Sequence, residues 1–315
     1  MGHDITEGLA PWVAEALRAP RTEQLAELAR RFEALDDLTA DAYTREVVLV
    51  PLRGSAVKRW RDLVAAGRED WIFVQSTEEE TVLAVDQPSE MGQCDPAAGV
   101  IYPELHSRLI SWYLVHAWRA VDLAQDSLYN LGSWRITSGA VTVRALIEEA
   151  ACLLDECTKL TTAWEQAKQT PPDPVARPDK VRSLLAQVLT EAGFSSRLKD
   201  FPELPKATNI LTYVARLVRA TGDERYRTWY DWLSDAAHPA FGARIALASP
   251  PMAHQTGAVV ERYYARSPLS MRTSSGGEWS LDNEVALHAA DALISAGCLV
   301  SDLMTTSLEW STTSA

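Results

Sequence analysis

Two groups of polar residues, far apart in the chain, have the types and spacing that acid–base chemistry uses. The first is Arg144, Glu148 and Glu149; the second is Tyr230, Ser234 and His238, followed by Pro239. Arg144 and Glu148 stand one helical turn apart and can pair on one face, whereas Glu149 points to another side. Tyr230, Ser234 and His238 are spaced by four and share a stripe. Both groups sit in otherwise apolar stretches, where an unpartnered polar group costs about 1–3 kcal/mol, so they are expected to pair with one another or with a ligand. Arg144, Glu148, Tyr230, Ser234 and His238 therefore form the candidate polar interior cluster. With Arg144 or Glu148 turned inward against His238, a carboxylate would orient the imidazole for proton exchange. Ser234 lacks the strand-turn-helix elbow with flanking glycines that a serine nucleophile uses, which argues against serine-hydrolase chemistry.

A second constellation has metal-ligand types. Asp235 with His238, and Glu284 with His288, each place a carboxylate and an imidazole on one helical face, and Glu148 and His116 add a ligand from two further helices. Interior carboxylates and histidines at such spacings hold iron or manganese in di-iron bundles. The paired Glu-x-x-His signature of those enzymes is absent, so this stands as the alternative, and the leading reading uses no cofactor. Four cysteines, Cys94, Cys152, Cys157 and Cys298, lack paired metal-ligand spacing and are expected to be reduced and buried.

The elements that must carry these residues are mostly helices. Apolar positions from Pro11 to about Leu38 recur at helical intervals, broken near Ala19 and Pro20, which predicts two helices. Val47 to Leu52, an amphipathic helix from Ser55 to Ala66, Trp71 to Gln75 and Thr81 to Val85 read as a small β-α-β-β unit. Its acidic tip, Glu78 to Glu80, reads as a solvated turn. Residues 89–99 read as a linker. Beyond it, one stripe runs through Leu105, Leu109, Tyr113, His116, Ala120 and Leu123, and a second through Val143, Ile147, Leu154, Cys157 and Trp164, ending near Lys168 before a proline run.

Further helices are predicted to about Ala192, over Ala207–Ala220, Glu224–Ala248 and about Asp282–Leu308, with a looser stretch from Ser249 to Gly277. Pro239 requires a kink or break beside His238, and Thr221, Gly222 and Asp223 form a stop-and-cap signal. The fold class is mainly α: a helical bundle over residues 100–315 with a small N-terminal α+β unit and its preceding helices over residues 1–90. Most of the eleven tryptophans are expected to pack in the core or at its rim.

With 315 residues and 47% hydrophobic content, the chain can bury a large core. A formal net charge of −13 gives no global attraction to nucleic acid or anionic lipid. No segment reads as a leader, and none is read as long and apolar enough to span a membrane, so a soluble, cytoplasmic protein with no membrane partner is expected.

The run from Tyr230 to Pro239, Tyr-Asp-Trp-Leu-Ser-Asp-Ala-Ala-His-Pro, together with Arg144 to Glu148, resembles uncharacterised bacterial helical proteins related to the HEPN superfamily. The likeness covers about residues 103–310. Such a resemblance implies a helical bundle and, for many members, ribonuclease activity in toxin and phage-defence systems, carried by an arginine and a histidine four to six residues apart. None of the six histidines here follows an arginine at that separation. The resulting expectation is a HEPN-like bundle acting by binding or assembly in a bacterial defence or stress system. The alternatives are a metal-dependent bundle oxygenase or an atypical ribonuclease with His238 as base and Arg144 on the phosphate. Bundles commonly pair, which makes a homo-oligomer the expected assembly; the sequence names neither a small-molecule nor an RNA ligand.

Overall fold

The structure is a computed structural model that describes residues 10–42, 48–51, 74–76, 81–85, 103–168, 206–239, 241–248, 252–263, 268–272 and 277–312, with a few isolated positions besides. Its order is α1 (Pro11–Leu17), α2 (Ala19–Thr39), β1 (Val48–Pro51), β2 (Val74–Ser76), β3 (Thr81–Val85), α3 (Pro103–Gly132), α4 (Ile136–Lys168), α5 (Ile210–Thr221), α6 (Arg225–Ala237), α7 (Phe241–Leu247), β4 (Met252–Thr256), β5 (Val259–Tyr263), β6 (Ser270–Arg272), β7 (Glu278–Ser280) and α8 (Leu281–Thr312). The protein is mainly α, a helical bundle with a small α+β unit near the N-terminus.

The chain divides into two compact units that are discontinuous in sequence. One comprises residues 1–40, 117–154 and 209–302; the other comprises 41–116, 155–208 and 303–315. This grouping differs from the sequential division at about residue 90, because the first two helices belong with the middle of the chain.

In the first unit the break between α1 and α2 falls at Arg18, which takes a left-handed φ of 70° and so turns the chain before Pro20 in the first turn of α2. Apolar residues at helical spacing, Leu25, Leu28 and Phe32 on α2 and Val143, Leu146 and Ile147 on α4, are buried. On α8, Val285, Ala286, Ala289, Ala290, Leu293 and Ala296 are buried too, a wide apolar arc made largely of small residues. Small side chains let helices approach closely: a Cβ built on Gly297 would stand 2.8 Å from both methyls of Leu28. Ion pairs flank this approach, Arg21 to Asp291 at 2.6 Å and Arg31 to Asp302 at 3.2 Å.

The stretch Leu281–Leu308 of α8 has a mean hydropathy of 1.3 over its most apolar window, so by length and composition one helix does suffice to cross a membrane, contrary to expectation. Half of that window is buried inside the protein.

Expected stop signals appear where the chemistry requires them. Gly222 ends α5 with a φ of 69°, and Asp223 follows, its Oδ1 accepting from the Arg225 backbone N–H at 3.0 Å in the turn that leads into α6. The helix expected over Glu224–Ala248 is instead two. Pro239 forces the residue before it out of the helical region, and His238 takes φ −81° and ψ 148° as the cap of α6. Beyond the break, the Asp235 carboxylate packs against the backbone of Gly242, where even a methyl group would collide.

The looser stretch from Ser249 to Gly277 holds strands β4, β5 and β6; β4 pairs with β5, and β6 pairs with β7 just beyond the stretch. Thr256 pairs with Val259 across a two-residue turn in which Gly257 has a φ of 64°, the conformation that a hairpin turn beginning with glycine demands.

In the second unit, β1, β3 and β2 form an antiparallel sheet in that order, with Val50 opposite Leu83 and Val74 opposite the same Leu83. The strands match the β-α-β-β reading. Its helix lies outside the described residues except for Lys58 and Asp62, which are helical, and the Glu78–Glu80 tip lies outside them too. Helix α4 ends at Lys168 as expected.

Candidate functional site

The two polar stretches meet between α4 and α6. Helical spacing puts Arg144 and Glu148 on one face of α4, and they pair at 2.9 Å. Tyr230, 5% exposed on α6, closes the group: its hydroxyl accepts from Arg144 Nη2 at 2.9 Å and donates to Glu148 Oε1 at 3.0 Å. The Arg144 guanidinium also stands 5.0 Å from the centre of the Tyr230 ring, a cation–π distance. Burial raises the Tyr230 phenol above its ordinary value, against a smaller downward pull from the Arg144 hydrogen bond. A neutral phenol is what this geometry needs, since its one proton is donated in the hydrogen bond to Glu148.

Ser234 and His238 do not join that ring. Ser234 Oγ is buried with no hydrogen-bond partner among the described residues, as is Arg144 Nε. His238 is exposed to solvent. The reason is local: a stripe at intervals of four persists only while the helix does, and Pro239 ends α6 at Ala237. The cluster expected to be interior thus holds Arg144, Glu148 and Tyr230, with Ser234 on Tyr230's stripe but unbonded to it and His238 exposed.

Glu149 does have a use. It is 5% exposed, and its carboxylate accepts from Arg119 Nε of α3 at 2.8 Å. No local spacing flags this pair, because its partner is thirty residues upstream.

Of the residues weighed as metal ligands, Glu148 is engaged by Arg144 and Tyr230, and Asp235 lies against Gly242. Glu284 and His288 are 3.8 Å apart on α8, where the His288 ring is also tilted against Trp232 at 5.0 Å. His116 belongs to the second unit, while the other five belong to the first. Among the described residues, no three His, Cys, Asp or Glu side chains gather as a metal site would require.

His116 instead builds a small polar core in the second unit. Glu156 Oε2 takes the Trp112 indole N–H at 2.7 Å and lies 2.9 Å from His116 Nε2, with the two rings edge to face at 5.1 Å. One turn separates Trp112 from His116 on α3, a spacing visible in the sequence. Glu156 on α4 is not visible as their partner, because it sits in a run with Asp155 and Cys157 that reads as an ordinary helix face. A carboxylate accepting from the indole can only accept from the imidazole as well, so Nε2 carries a proton in this arrangement.

Next to it, Cys157 Sγ lies 3.5 Å from Ser307 Oγ. Burial pushes the Cys157 thiol up to about 11. Cys157 and Cys298 are free thiols.

Comparison with protein-family models, curated proteins and solved structures finds no match for this chain.

Proposed function

We propose that this protein is a HEPN-like helical bundle that acts by binding and assembly in the cytoplasm, in a bacterial defence or stress system. The observation that supports the reading is the closed ring of Arg144, Glu148 and Tyr230. Arg144 Nη2, the Tyr230 hydroxyl and Glu148 Oε1 bond one another in a closed set, which ties α6 to α4. A ribonuclease using Arg144 on the phosphate and His238 as base needs both groups at one scissile bond, yet the arginine is committed inward and the histidine faces solvent.

The test uses the purified chain with mixed RNA, and the same with His238→Ala and Tyr230→Phe. Intact RNA in all three, with a lowered melting temperature for Tyr230→Phe alone, is the expected result. RNA cleavage lost in His238→Ala with unchanged melting would overturn the reading in favour of the nuclease. Iron or manganese copurifying in stoichiometric amount would overturn it in favour of the di-iron alternative.

A further inference from the structure

We propose that the adjoining faces of α2 and α3 bind a basic segment of a partner protein, whose arginines stack on Trp118 and pair with the carboxylates around it. The inference rests on the assembly reading and names the chemistry of the partner.

Helical spacing lines up Trp118, Asp122, Asp126 and Tyr129 along one stripe of α3, and all four are exposed. The end of α2 runs beside this stripe. The Trp118 indole N–H donates to the Thr39 carbonyl at 2.9 Å, and Gln125 Nε2 donates to Asp36 Oδ2 at 3.3 Å. Glu33, exposed one turn before Asp36, continues the α2 side. All of these residues lie in the same compact unit.

The charge on this surface is uncompensated. Among the described residues, no arginine, lysine or histidine pairs with Glu33, Asp36, Asp122 or Asp126, and Asp36 takes only the neutral Gln125 amide. The arginines nearest in sequence are engaged elsewhere: Arg30 and Arg31 with Glu27 and Asp302, and Arg119 with the buried Glu149. Like charges one turn apart, as Asp122 and Asp126 are, oppose the helix that carries them, and a bound cation reverses that effect.

The same surface carries aromatic rings. Trp118 is 41% exposed and Tyr129 57%. The hydrogen bond to Thr39 already holds the indole, so binding need not order it. A guanidinium can stack on an aromatic face while its N–H groups pair with a carboxylate. Tyr129 shows the first half of this with a group of its own chain, since the Arg135 guanidinium stands 5.4 Å from the ring centre. Trp118, with Asp122 one turn on, offers both halves to a guanidinium from outside.

Charge selects the occupant. A molecule of net charge −13 repels nucleic acid, anionic lipid and a second copy of itself, and this face adds four unpaired carboxylates to that field. A basic polypeptide is attracted by the same field, and the aromatic contacts then give it a place to seat.

Fluorescence anisotropy tests this with the full chain and a labelled alanine-based helical peptide that carries arginine at every fourth position. Wild type is expected to bind the peptide and not its glutamine analogue. Asp122→Asn with Asp126→Asn, and separately Trp118→Ala, are each expected to weaken binding about tenfold. The asparagine pair changes only solvent-facing groups, so helical circular dichroism should be unchanged even where Trp118→Ala disturbs the contact with Thr39. Glu261→Gln with Glu278→Gln removes the same charge from exposed positions on β5 and β7 and should leave binding at the wild-type level. No binding by wild type, or equal weakening by the two charge-matched pairs, overturns the proposal; the second result would mean attraction by net charge alone. Self-association of wild type that is lost in the asparagine pair also overturns it, by assigning the face to a second copy of this chain. Each of these results leaves assembly through some other contact standing, whereas His238-dependent RNA cleavage would remove the assembly reading itself.

Discussion

Tyr230 is the residue on which the polar ring depends, because its single hydroxyl serves both an acceptor and a donor role between two charged groups. The sequence shows Arg144 pairing with Glu148, since helical spacing alone brings them together. It also shows Tyr230 and Ser234 on one stripe. What it does not show is that the stripe stops short of His238. The signal for that was present in Pro239, but a proline predicts a break, not the direction in which the preceding side chain leaves. The Arg119–Glu149 and Trp112–His116–Glu156 groups were illegible for a different reason: their partners lie thirty or more residues apart, and spacing arguments reach only one or two turns. Cys157 gives a residue-level expectation. Burial raises its thiol from an ordinary 9.0 to about 11, so the folded state favours the protonated form. Its contribution to stability is therefore complete below pH 9 and is lost as pH rises from 9 to 11, where the unfolded thiol ionises first. The melting temperature should fall over that window, and less steeply in Cys157→Ala; equal slopes in the two proteins would contradict the assignment.

At the scale of elements, long periodic segments were legible and short ones were not. Helices α4 and α8 were readable because their apolar stripes run for many turns. The hairpins β4–β5 and β6–β7 were hidden in a stretch rich in Ser, Gly and Pro, although Thr256-Gly257-Ala258-Val259 carries the glycine-first turn that a two-residue connection needs. Gly297 is an element-scale feature with no reading from sequence: inside a helix it costs stability relative to alanine, unless a neighbour needs the space. Here Leu28 of α2 needs it. Gly297→Ala should destabilise by about 1–3 kcal/mol through overpacking, measured by urea denaturation. Adding Leu28→Ala should then cost less than it does in wild type, because the new methyl occupies part of the space vacated. Strict additivity of the two changes would mean that α2 and α8 do not meet as described.

At the scale of the molecule, the mainly α class and the small antiparallel sheet were both readable, whereas the grouping of segments was not. Residues 1–40 belong with 117–154 and 209–302 because burial of α1 and α2 needs partners far along the chain, a long-range choice that local patterns do not encode. The apolar α8 makes the same point: composition alone marks it as able to span a membrane, and the burial of half of that window in the protein is not legible in composition. The most direct measurement is a double-mutant cycle on global unfolding free energy, with Tyr230→Phe and Glu148→Gln made singly and together. If the ring is a structural lock, the coupling should be about 1 kcal/mol, within the range for residues sharing one hydrogen-bond network. Coupling below about 0.3 kcal/mol, the level of independent sites, would contradict it.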